Sequence, residues 1–180
     1  YFQSNLFVVA RRRIVWLAVL VLANGLTTQV IAMNDEVLKQ VVLLAAFIPL
    51  LIGAGGNVGA QSSTVVIRGL STQRIQRLGL FKAIAKEALA GALLGVLIAI
   101  FVVPFAWWQG QGPLVATAVG ISLVAITTLA ATAGASLPLF FDRMGLDPAL
   151  MSAPFITTAT DVAGVLIYLK TASWLLGRLN

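Results

Sequence analysis

The segment from Lys86 to Trp108, KEALAGALLGVLIAIFVVPFAWW, carries an apolar run bounded by charge at one end and by a tryptophan pair at the other. A run of roughly twenty apolar residues, rising about 1.5 Å per residue as a helix, matches the roughly 30 Å hydrocarbon core of a bilayer. Trp107 and Trp108 then fall where an interfacial aromatic belt is expected, and the following QGQGP reads as a tight turn. Read outward from this span, which covers about Ile84 to Pro104, the same pattern recurs four times. The other spans run from about Ile14 to Ala32, Val37 to Ile67, Leu114 to Phe140 and Ala149 to Trp174. The expected fold is therefore all-α, a polytopic membrane protein with five transmembrane helices.

Composition agrees. The 180 residues are 59% hydrophobic and 10% charged, with mean hydropathy +0.98, whereas about a quarter of a soluble globular sequence is charged. Basic residues cluster at Arg11 to Arg13, from Arg68 to Lys86, and at Arg143. Placing those clusters in the cytoplasm puts the N-terminus inside and the C-terminus outside. Basic juxtamembrane loops also account for the net charge of +6 without a nucleic-acid partner. The chain has no cysteine and no histidine, so thiolate and imidazole metal sites, Cys nucleophiles and His bases are excluded and no enzyme is expected. Residues 1–5, YFQSN, resemble the end of a protease-cleavable tag, which leaves 6–180 as the membrane domain.

Against this background, polar residues inside the spans stand out. Asp161 lies well within the fifth span, where a carboxylate costs roughly 2.5–3.5 kcal/mol on insertion scales. Pro154, Thr157, Thr158 and Asp161 share one helical stripe, which Gly164 and Tyr168 continue. On the second span Pro49, Gly53, Asn57 and Gln61 share a face, followed by Thr64 and Arg68, while Gly55 and Gly59 form a GxxxG step for close helix approach. Threonines bonded to their own helix and an aspartate in a helix contact would be the structural alternative. Oxygen ligands without sulfur or imidazole suit hard cations such as Mg2+, Ca2+ or Mn2+. One acid per chain cannot dehydrate Mg2+, so a hydrated ion is expected, with a two-fold dimer bringing two carboxylates together.

Three segments, PLLIGAGGNVGAQSSTVVIRGL, APFITTATDVAGVLIY and DRMGLDPA, resemble the membrane domain of MgtE-type magnesium channels. The resemblance implies a homodimer in the plasma (inner) membrane that conducts Mg2+ into the cytoplasm along its two-fold axis. It implies that Asp161 is the central metal-site acid, acting through coordinated water, with the backbone carbonyl of Thr157 beside it. Gly53, Asn57, Gln61, Pro154, Thr158 and Gly164 would line the pore, and Asp147 and Glu87 would be peripheral cation sites. It also implies a cytoplasmic CBS-containing regulatory region preceding this domain in the full-length chain. Mn2+ and other hard divalent cations are possible further cargo. A proton- or ion-coupled divalent-cation transporter is the alternative function.

Overall fold

The computed structural model describes residues 6–34, 43–73, 75, 79–110 and 112–177. They form five helices: α1 Leu6–Met33, α2 Leu43–Ser71, α3 Leu80–Trp108, α4 Gly112–Arg143 and α5 Pro148–Leu176. The chain is an all-α membrane protein, and α2, α3 and α4 are each long and apolar enough to cross a bilayer. α1, α3, α4 and α5 outrun the apolar spans expected from sequence at both ends, and α2 does so at its C-terminal end. Thus α1 begins at Leu6 and takes Arg11 into its first turns, and α2 continues past Ile67 to Ser71. Backbone groups near the interface keep their helical partners even where hydropathy falls, so apolar length underestimates helix length. The expected tag at 1–5 and the start of the second span near Val37 lie outside the described residues.

α4 is the centre of the bundle and packs on α3, α2 and α5, while α1 lies against α5. Its Ala118, Val119, Leu123, Ile126, Ala130, Ala131 and Ala135 are almost completely buried. Small residues make this possible, because association within a membrane relies on close packing rather than on a hydrophobic drive. Gly91 and Gly95 of α3 lie against Thr127 of α4, and Gly134 of α4 lies against the carbonyl of Gly59 on α2. Three threonine hydroxyls of α4 are satisfied by their own helix: Thr127 donates to the Leu123 carbonyl at 2.8 Å, Thr128 to Val124 at 2.6 Å and Thr132 to Thr128 at 2.7 Å.

The α4–α5 turn closes with a Schellman arrangement. The Leu146 N–H donates to the Phe141 carbonyl and the Gly145 N–H to Asp142, both at 3.0 Å, with Gly145 at φ 71°. This turn fixes the start of α5, and Phe141 and Phe155 meet across it with ring centroids 5.5 Å apart.

Towards the other end of the bundle, the buried Tyr168 hydroxyl donates to the Leu44 carbonyl at 3.1 Å, tying α5 to α2. Tyr168→Phe is expected to cost about 1 kcal/mol, a fall of roughly 2–4 °C in melting temperature. Fluorescence-detected thermal unfolding in detergent measures it; an unchanged midpoint would show that the bond contributes nothing net.

Large apolar side chains cover the outside. Leu89, Leu93, Ile100 and Phe101 on α3, and Ile14, Val21 and Leu22 on α1, are exposed, as expected of lipid-facing surface. Trp107 and Trp108 are exposed at the end of α3, the position expected of an aromatic belt.

Candidate ion site

The site is built by α2 and α5, whose relative placement follows from two glycines. A Cβ on Gly55 would lie 2.8 Å from Ile126 and 3.7 Å from Thr160, and one on Gly59 would lie 2.6 Å from Ile156 and 3.3 Å from the Ala130 carbonyl. The GxxxG step is thus the seat on which α4 and α5 close against α2. It also sets the register: Gly55 meets Thr160 and Gly59 meets Ile156, so the two helices run antiparallel.

Extended by the helical rise of about 1.5 Å per residue, that register puts Asp161 about level with Gly53 and Ala54, Thr158 level with Asn57, and Pro154 level with Gln61. The polar column from Asp161 to Gln61 is about 10 Å long by the same rise.

The side of α2 turned away from the GxxxG seat carries the polar groups. Gly53, Asn57, Gln61, Thr64 and Arg68 are all exposed. The amides of Asn57 and Gln61 therefore face outward from the middle of an apolar bundle, a costly arrangement against lipid. On α5, Thr157 is exposed and Thr158 and Asp161 are half-buried. The backbone of Pro154 continues α5, and its side chain lies outside the described residues.

The stripe does not persist along α5. Gly164 is buried, with a Cβ there meeting Ile126 at 3.6 Å, and Tyr168 turns into the core. Gly164 therefore faces α4 and not the exposed column expected from sequence. Thr160 is on the packed side too, where its hydroxyl donates to the Ile156 carbonyl at 2.8 Å.

Two other acids are not brought to Asp161. Asp147 is exposed in the α4–α5 turn, about 21 Å along α5 from Asp161 by helical rise. Glu87 is half-buried on α3 and lines a cavity of about 530 Å3 together with Arg68 and Lys86. Neighbouring cations make that a poor place for a bound divalent ion. Among the described residues no group of three or more His, Cys, Asp or Glu comes together. Asp161 is thus a single carboxylate at about the height of the α2 amides and the α5 threonines, oxygen donors of a kind that suits water-mediated contact with a hard cation.

Sequence reasoning missed the cavity, because its walls come from separate helices; the density of basic residues between Arg68 and Lys86 was the only signal. It also missed Ser122 and Thr27, whose buried hydroxyls have no partner.

A family profile described as MgtE, divalent cation transporter, matches residues 48–171, from the head of the polar α2 face to the far half of α5. The chain belongs to the MgtE family. Magnesium transporter MgtE of Thermus thermophilus is 40% identical over 164 residues, which is 91% of this chain. The Bacillus subtilis and Enterococcus faecalis magnesium transporters MgtE are 35% and 32% identical, over 96% and 95% of the chain. The chain spans 36–38% of the length of these MgtE relatives. Membership makes it a multi-pass membrane protein of a divalent-cation transporter family, in agreement with its helices.

The open space at Gly53 gives a direct test of the α2 face. A Cβ there would meet nothing within 4 Å, so Gly53→Ala is expected to change the melting temperature by less than about 2 °C. If Gly53 faces the ion path, the same variant alters Mg2+ flux in liposomes; unchanged flux would remove Gly53 from the path.

Proposed function

We propose that this chain is the ion-conducting domain of a magnesium channel, with the path on the two-fold axis of a homodimer and Asp161 at its centre. The observation that carries this reading is the outward polar column of α2, Gly53, Asn57 and Gln61, at the level of Thr158 and Asp161. Such a column in the middle of a membrane bundle is stable only against water or a second copy of itself. A two-fold axis along it places two copies of Asp161 and four amides around a common space.

Mg2+ holds its six waters at about 2.0–2.1 Å and releases them reluctantly. Recognition is therefore through the water shell, with carboxylates, amide oxygens and the Thr157 carbonyl accepting hydrogen bonds from coordinated water. Two facing carboxylates repel each other, and a divalent ion between them relieves that repulsion. With the basic helix ends in the cytoplasm, a transmembrane potential negative inside draws Mg2+ inward, down its electrochemical gradient. Mn2+, with similar ligand preferences, is a secondary cargo. In the full-length protein a cytoplasmic regulatory region gates this domain.

Single-channel recording in liposomes with Mg2+ as the sole permeant cation tests the reading. Discrete Mg2+ openings are expected. Slow, saturating, pH-coupled uptake without openings would replace the channel by a coupled transporter.

A further inference from the structure

We propose that the cavity between α2 and α3 binds the phosphoethanolamine headgroup of a membrane phospholipid, with Arg68 and Lys86 on the phosphate and Glu87 on the ammonium. The cavity, about 530 Å3, is lined by Arg68, Thr72, Lys86 and Glu87, with Val65, Val66, Ile75 and Ala83 among its apolar walls. This volume exceeds that of a headgroup, leaving space for waters and the first carbons of the glycerol.

Its depth points to a lipid rather than to a soluble ligand. Glu87 and Trp107 stand twenty residues apart on one helix, about 30 Å by helical rise, which is the thickness of the hydrocarbon core. No charged residue lies between them. With Trp107 at one interface, Lys86 and Glu87 sit at the other, at headgroup level. Below them the exposed Leu89 and Leu93 of α3 face lipid, and α3 packs on α4 while barely touching α2. A lipid can therefore enter sideways, with its chains along the gap between α2 and α3.

The charges select the headgroup. Two cations suit a phosphodiester, and basic pockets at this level between helices are a known setting for lipid phosphate. A carboxylate within the same cavity disfavours a purely anionic headgroup and accepts hydrogen bonds from a primary ammonium. The trimethylammonium of phosphatidylcholine has no N–H to donate, and phosphatidylglycerol has no cation there.

Native mass spectrometry of the protein in detergent, titrated with phosphatidylethanolamine, phosphatidylcholine or phosphatidylglycerol of equal chain length, tests the site. Phosphatidylethanolamine is expected to bind about fivefold or more tighter than phosphatidylcholine. Glu87→Gln should erase that preference while leaving phosphatidylglycerol unweakened, and Arg68→Gln with Lys86→Gln should weaken all three by about tenfold or more. Arg68→Lys, which keeps the charge, and melting temperatures for every variant separate lost binding from lost folding. Equal binding of phosphatidylethanolamine and phosphatidylcholine to the unmodified protein, or a preference that survives Glu87→Gln, overturns the proposal. Displacement of the lipid by millimolar inorganic phosphate overturns the lipid as the source and assigns the site to a soluble phosphate.

Discussion

Asp161→Ala is expected to lower Mg2+ flux through liposomes at least tenfold and to abolish preference for Mg2+ over monovalent cations. For a divalent ion about 4–5 Å from a carboxylate in a water-like dielectric, the attraction is about 2 kcal/mol, and it grows as the dielectric falls. Since about 1.4 kcal/mol is a tenfold change in occupancy, losing this carboxylate removes more than tenfold, and the proposed dimer would lose two. Asp161→Asn separates charge from shape, because the amide keeps the volume and an acceptor oxygen. It should lose nearly as much as alanine, and an asparagine variant with full selectivity would show that the carboxylate charge is not what holds the ion. Folding is not expected to suffer, since a half-buried intramembrane carboxylate is a cost that the variant removes. Melting temperatures should stay level or rise, which keeps a flux defect from being read as misfolding.

Gly134→Val is expected to have the largest effect on stability. Gly134 is buried where α4 crosses α2, and the nearest atom to a new Cβ is the backbone oxygen of Gly59, with Ser62 also at 3.1 Å. A flexible side chain can move aside, but a helical carbonyl moves only with its helix. Pushing α2 off α4 opens voids on both sides of the GxxxG seat, at a cost of about 3 kcal/mol or more. For a chain of this size the midpoint should drop by roughly 10 °C, and thermal unfolding monitored by size exclusion measures it. Flux should fall as well, because α2 is the wall that carries Asn57 and Gln61. A valine variant with native stability would show that the α2–α4 crossing can yield to a side chain at this position. The contrast with Gly53→Ala is informative: both are glycines within membrane spans, yet a Cβ meets a neighbour only at Gly134.

Five spans and the isolated acid were legible from the sequence, the helix ends less so. Hydropathy over about twenty residues is a local property, and the bilayer imposes the same length on every helix. Asp161, Asn57 and Gln61 were visible as polar groups where polarity is costly, and Gly55 and Gly59 as a place for close approach.

What local patterning leaves open is the rotation of each helix about its axis. The stripe from Pro154 through Asp161 continues in sequence to Gly164 and Tyr168. In the structure Ile126 and the Leu44 carbonyl draw those two inward, and the outward column stops short of them. Likewise Glu87 reads as a lone acid near a cytoplasmic end, and only the approach of α2 puts Arg68 beside it in one cavity. The sequence by itself determined the all-α membrane class, the five helices of the described residues and the polar groups set inside their spans, because each depends on neighbours a few positions away. The tertiary structure alone decided the antiparallel register of α2 and α5, the side of each that is buried, and the cavity at Arg68, because each depends on contacts between residues distant along the chain.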